Sequence, residues 1–356
     1  MIIPQDRGGD WRLDKFVEYQ HNVPPVQYEI FKGYATERNL SEDDQVYLSW
    51  LMCVTYQEIT SLLILEEIPL GDKLGERFDS WYKTNKERVI IGSSKKHMKM
   101  QERLEQTIYS FEEIFGNNPA KTLYSMLNGI TDPLKRTEET KKIARNIKHI
   151  GRFAADYFVE TIHLLQKQNL NNFNFGEEMT IDYADGSNLT SALLNINYLD
   201  DLADKYDRGD MSREELRALE PLLDETLAKI DKRIQETYNH KVETTFFVTK
   251  LCSFRNLFKN SRYGGFHHDR ELGFIMRYLE TYPEKTELMN YILKIRKERF
   301  KHSLLGELNG WFDVRKERKR IWTEHGFTGV ETESNDVIFD VKKAKKSEIT
   351  CDIKDW

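Results

Sequence analysis

Between Ser261 and Phe274 the chain reads SRYGGFHHDRELGF, and with the run before it, LCSFRNLFKN, it holds the densest set of residues able to do chemistry. Arg255, Lys259 and Arg262 recur at helical spacing beside an apolar stripe of Phe247, Leu251, Phe254 and Phe258. Gly264 and Gly265 end that run and let backbone N–H groups approach a ligand closely. A cationic edge leading into a glycine turn suits a phosphate or pyrophosphate, whose oxygens a guanidinium binds two at a time. His267, His268 and Asp269 follow at once. An imidazole titrates near neutral pH and a carboxylate can hold it in one tautomer, so a general base stands close to the cationic stripe. The same spacing fits a polar corner between two helices, and it leaves open which of the three is the base.

Two further constellations stand apart from this stretch. Asp200 to Asp204 read DDLAD; on a helix Asp200 and Asp204 share a face and could hold Mg²⁺ through waters and diphosphate oxygens. The string resembles the metal motif of the all-α isoprenoid diphosphate synthases, but no second motif of N-D-x-x-S/T-x-x-x-E type follows it. It also lies in an acidic segment, Tyr198 to Glu225, with ten acidic against four basic residues, where a solvated helix face explains it too. From Lys294 to Arg320 the balance reverses, with ten Lys/Arg against four Asp/Glu. Phe300, Trp311, Phe312 and nearby Trp322 are interleaved with these cations. Such a segment can grip a nucleic-acid backbone while its aromatics stack on bases, or form amphipathic helices that bury the aromatics. The remaining histidines show no metal-ligand spacing, and the phosphate-loop, dinucleotide and nucleophile-elbow motifs are absent.

The elements that must position these residues read as helices. Apolar residues recur at helical spacing through most of the 356 residues, strand-like alternation is scarce, and only eight prolines interrupt the chain. VQYEIFKGYATER follows Pro24 and Pro25. Ser41 and Asp44 then open one long helix, apolar on nearly every side, that runs through the centre of the fold to Pro69 and Gly71. Further helices are expected at 72–85, 95–115, 119–128, 133–147, 150–168 and 189–206, with an irregular loop over 169–187. A capping box at Ser212 and Glu215 starts another that reaches about residue 238, and others fit 268–281, 284–300 and 303–322. The expected class is mostly α: a single large domain of about ten or more helices over 1–327, then a loosely ordered or β-prone tail, 328–356, containing VIFDV.

The net charge of −6 argues against nucleic-acid binding by the whole surface, though not by the basic segment. Three widely spaced cysteines fit a reducing compartment rather than a disulfide framework. No basic n-region precedes an apolar stretch at the N-terminus, and no run reaches the roughly 18 apolar residues of a membrane span. The expectation is a soluble, cytoplasmic chain without a membrane partner.

Four stretches, PPVQYEIFKGYA, SEDDQVYLSWLMCVTYQEITSLLIL, GRFAADYFVETI and LCSFRNLFKNSRYGGFHHDRELGFI, resemble the amino acid:DNA transferase family of bacteriophages in pattern and order, over about residues 20–325. The resemblance implies a helical enzyme of the host cytoplasm acting on phage DNA whose 5-hydroxymethyluracil has been pyrophosphorylated. It would join the amine of an amino acid to the base methylene with loss of pyrophosphate, giving a hypermodified thymine. Arg255, Lys259, Arg262 and Arg152 are then the cations for pyrophosphate, with Tyr263, Gly264 and Gly265 lining its turn. His267, His268 or Asp269 takes the amine proton, and Arg270 holds the amino-acid carboxylate. Tyr263, Phe266, Phe153 and Tyr157 offer stacking platforms for a flipped base. Lys316, Lys319 and Arg320 grip the DNA backbone. The resemblance requires no cofactor, and Asp200 and Asp204 could still carry Mg²⁺ to the leaving group. The alternatives are a non-catalytic helical DNA-binding phage protein and an isoprenoid-diphosphate-type Mg²⁺ enzyme using the DDLAD string.

Overall fold

A long apolar run must be buried on all sides, and the residues after Ser41 are. The computed structural model describes residues 8–22, 26–89, 91, 101–166, 188–239, 250–251, 254, 282–300, 328–331 and 337–340. The helices among them are α1 (Trp11–Asn22), α2 (Val26–Glu37), α3 (Glu42–Thr55), α4 (Glu58–Glu67), α5 (Leu74–Asn85), α6 (Gln101–Phe115) and α7 (Pro119–Met126). They continue with α8 (Pro133–Asn146), α9 (Arg152–Gln166), α10 (Asn188–Ile196), α11 (Asp200–Asp207), α12 (Arg213–Tyr238) and α13 (Thr286–Phe300). The class is mostly α. In the β-prone tail, β1 (Thr328–Glu331) and β2 (Val337–Asp340) pair antiparallel, Thr328 opposite Asp340. The expected helices at 268–281 and 303–322 lie outside the described residues. Contacts group the chain into two compact units, Met1–Pro25 with Glu178–Gly273 and Lys297–Lys343, and Val26–Glu177 with Phe274–Arg296 and Ala344–Trp356.

In the second unit α3 is the central element, and Val46 to Val54 are buried without interruption. The Trp50 ring lies 4.7 Å from Phe111 and 5.8 Å from Tyr47, an aromatic stack that fixes α6 against α3. The expected single helix from Asp44 to about Ile68 is corrected here: it breaks at Tyr56 and Gln57. Tyr56 is left-handed, with φ 48°, and side chains satisfy the backbone groups that the break frees. Gln57 N donates to Thr55 Oγ1 at 3.2 Å, and Ile59 N donates to Gln57 Oε1 at 3.1 Å, which caps α4.

Two helices of this unit take their N-terminal caps from other helices. Glu112 on α6 accepts from Leu74 N at 2.8 Å and Gly75 N at 2.9 Å, capping α5 where Lys73 supplies no side-chain bond. Asp43 on α3 accepts from Ala120 N at 2.8 Å and so caps α7. At the end of α4, Glu67 accepts from Trp81 Nε1 at 2.6 Å, Arg88 Nη2 at 2.8 Å and Lys285 Nζ at 2.6 Å. Burial alone would raise this carboxyl, but the bonds from Arg88, Lys285 and Trp81 outweigh it and hold the pKa at about 2.

The first unit is built on α1, α10 and α12 around Leu13, Phe16, Leu193, Leu223, Ile230, Ile234 and Phe254. Phe16 and Phe254 meet edge to face at 5.1 Å. No helix is expected from the sequence before Pro24, yet α1 forms there, with Leu13, Phe16, Val17 and Gln20 turned inward. The capping box of α12 forms as expected: Glu215 N donates to Ser212 Oγ at 3.2 Å, and Ser212 N to Glu215 Oε2 at 2.9 Å. The expected helix over 189–206 is likewise corrected into α10 and α11. Tyr198 turns left-handed, φ 61°, and Asn197 Nδ2 donates to Leu193 O at 2.8 Å and to Thr226 Oγ1 at 2.6 Å.

Candidate functional site

Polar groups that a helix buries must find partners, and in the second unit one such set gathers from three segments far apart in sequence. Tyr28 on α2 donates its hydroxyl to Glu160 Oε2 on α9 at 2.7 Å. One turn earlier on α9, Tyr157 donates to the hydroxyl of Tyr56 at 2.9 Å, and the two rings are 4.6 Å apart. Tyr56 reaches this place because its left-handed conformation ends α3 there. On the outer side of α9, Lys141 of α8 pairs with Asp156 at 3.1 Å and Glu138 at 3.2 Å. Tyr28 and Tyr157 are buried, whereas Tyr56, Asp156 and Glu160 are partly exposed, so the cluster is an interior patch with an edge at the surface.

Burial dominates the electrostatics of Glu160 and Tyr28. Desolvation pushes the Glu160 carboxyl well above the usual carboxylate range; the Tyr28 hydrogen bond opposes this, Asp156 adds to it, and Lys141 opposes it. Desolvation and the neighbouring Glu160 likewise keep the Tyr28 phenol protonated. A neutral carboxyl is at once a hydrogen-bond donor and an acceptor. Asp156, paired with Lys141, and Glu160, hydrogen-bonded by Tyr28, stand one turn apart on α9. In the break beside Tyr56, Glu58 is fully buried in the first turn of α4.

Of the residues singled out by sequence, Tyr157 is in this cluster, its ring packed on Tyr56. Arg152 and Phe153 fall in the first turn of α9, the same helix. Arg255, Lys259, Arg262, Tyr263, Gly264, Gly265, Phe266, His267, His268, Asp269 and Arg270 lie outside the described residues, as do Lys316, Lys319 and Arg320. Asp200 and Asp204 lie one turn apart on α11, as the DDLAD spacing requires. Asp200 is engaged: Arg12 Nη1 and Nη2 donate to its two oxygens at 2.7 and 2.9 Å, and Asn195 Nδ2 donates at 2.7 Å. Arg12 is buried, also donates to Asn195 O at 2.6 Å, and stacks on the Tyr198 ring at 4.1 Å. A divalent ion at Asp200 would have to displace this bidentate pair. Among the described residues no group of three or more His, Cys, Asp or Glu side chains is arranged to hold a metal.

Tyr28, Tyr56, Glu160 and Lys141 escaped the sequence reading. The available signal was the i,i+4 pair Asp156 and Glu160 within the mostly apolar stretch Phe153–Leu165. Set against protein-family models and against curated proteins, the chain matches none. Among the described residues no helix is long and apolar enough to cross a membrane.

Proposed function

We propose that the chain is a DNA-modifying transferase that displaces pyrophosphate from pyrophosphorylated 5-hydroxymethyluracil with the amine of an amino acid. The observation that supports this reading is a convergence. Three of the four stretches that carry the family resemblance each send a side chain into the same cluster: Tyr28 from PPVQYEIFKGYA, Tyr56 from the stretch after Ser41, and Tyr157 with Glu160 from GRFAADYFVETI. Polar side chains from three distant stretches that meet in space need more than packing to account for them, since packing alone asks only for apolar residues of suitable volume.

In the reaction, the amine nitrogen attacks the methylene carbon attached to the base. A C–N bond forms as the C–O bond to pyrophosphate breaks, the amine proton passes to a base, and pyrophosphate departs with its electron pair. The resemblance assigns the base to His267, His268 or Asp269 and the leaving-group cations to Arg255, Lys259 and Arg262, with Arg152 as a fourth. Within the second unit, the cluster holds the Glu160 carboxyl, which burial pushes above the usual carboxylate range and to which Tyr28 donates a hydrogen bond. In its protonated form such a carboxyl, donor and acceptor at once, matches the Watson–Crick edge of a flipped uracil, which carries one N–H between two carbonyls. No step is assigned to Mg²⁺, because Arg12 already engages both Asp200 oxygens.

Nucleoside mass spectrometry tests the proposal: pyrophosphorylated 5-hydroxymethyluracil DNA is incubated with the chain and a pool of amino acids. A new nucleoside whose mass names the donor is expected. A folded, DNA-binding chain that returns only starting nucleosides would point instead to a non-catalytic binding protein.

A further inference from the structure

We infer that the end of α8 and the turn into α9 form a contact surface for the phosphate backbone of duplex DNA. This rests on the transferase reading only in the choice of DNA as the polyanion. Residues 133–151 carry six Lys/Arg and two Glu. Internal partners remove some of these charges from consideration: Lys141 pairs with Glu138 at 3.2 Å, Lys142 with Glu139 at 3.0 Å, and Arg136 donates to Ile130 O at 2.6 Å. Lys135 stands in the first turn of α8; at the other end of the helix Arg145 and Lys148 remain, both exposed, and no carboxylate among the described residues pairs with either.

Their mount is rigid. Thr107 Oγ1 on α6 donates to Lys148 O at 2.9 Å, Lys148 N donates to Ser110 Oγ at 3.0 Å, and His149 Nε2 meets Gln106 Oε1 at 2.8 Å. Ile147 and Ile150 are buried on either side of the turn. The surface beside it is open, since a Cβ placed on Gly151 would meet nothing within 4 Å. Exposed cations held on a fixed backbone, with no carboxylate among the described residues paired to them, favour an anion that runs along the surface. Cations spread along a turn in this way fit successive phosphates better than one small ion, and contacts of this kind position a protein without reading sequence. Glu160 lies eight residues beyond Arg152, about 12 Å along α9, so the surface would hold the backbone and leave the cluster to the base.

Binding of an unmodified duplex is measured by fluorescence anisotropy over a series of salt concentrations, for wild type, R145A/K148A and the exposed-lysine control K83A. The double variant should bind roughly tenfold more weakly near 0.1 M salt, with a log–log salt slope smaller by about two, and K83A should match wild type. An unchanged slope in a double variant with the wild-type melting curve overturns the inference. So does a wild-type chain that binds phosphatidylserine vesicles and no duplex. A reduced slope with no covalent product from wild type would leave this surface standing and sink the transferase reading. Product formation with an unchanged slope would do the reverse.

Discussion

At Glu160, desolvation opposes ionisation more strongly than the Tyr28 hydrogen bond and Lys141 favour it. Unfolding returns the group to an ordinary carboxylate that ionises near pH 4.5. Because the folded value is the higher one, the unfolded state releases its proton first. The contribution to stability is therefore complete below about pH 4.5 and is lost as pH rises through the folded value. Glu160→Gln keeps the shape and a neutral donor–acceptor while removing the titration. Urea unfolding from pH 4 to pH 8 should show wild type losing stability relative to Glu160→Gln as pH rises. Parallel curves would mean that the carboxyl titrates alike in both states.

Where helices start and stop depends on caps of two kinds. Ser212 and Glu215 cap α12 from within a few residues, and that cap is readable as a short motif. Glu112 caps α5 from a different helix, 37 and 38 residues along the chain from the groups it binds. Glu112→Ala would leave two partly buried N–H groups of α5 without their acceptor, and a loss of about 1–2 kcal/mol is expected in chemical denaturation. A loss below a few tenths of a kcal/mol would mean that water replaces the carboxylate at no cost. The breaks at Tyr56 and Tyr198 follow the same logic, since Thr55, Gln57 and Asn197 turn their side chains onto backbone groups that a continuous helix would have used.

Across the molecule, each unit draws its core from segments distant in sequence, and the first depends on Arg12 to join α1 to the α10–α11 corner. Asp200→Ala strands a buried guanidinium. The exposed side of this pair tempers the penalty, so about 2 kcal/mol is expected, together with faster hydrogen exchange in α1, α10 and α11. Exchange in α3 and α9, whose cores are separate, should be unchanged. If Asp200 served only a metal, its removal would leave exchange untouched in the absence of divalent ions.

Periodicity, composition and local caps determined the mostly helical class, the positions of α2, α7, α8 and α12, and the β-prone tail, because a helix with one buried stripe writes that stripe into a few consecutive residues. Periodicity did not reveal α1, since WRLDKFVEYQHN mixes buried Arg12, Lys15 and Gln20 into its inner face, and Arg12 and Lys15 become burial-compatible only beside Asp200 and Glu18. Nor did it mark the break at Tyr56, where an apolar run looked continuous. Sequence singled out Tyr157 as an aromatic platform and could not name Tyr28, Tyr56 or Glu160 as its companions. A polar group in a core has no repeat of its own; it is explained only by the group it meets, and more than a hundred residues separate Tyr28 from Glu160. That meeting was decided by the packing of α2, α3 and α9.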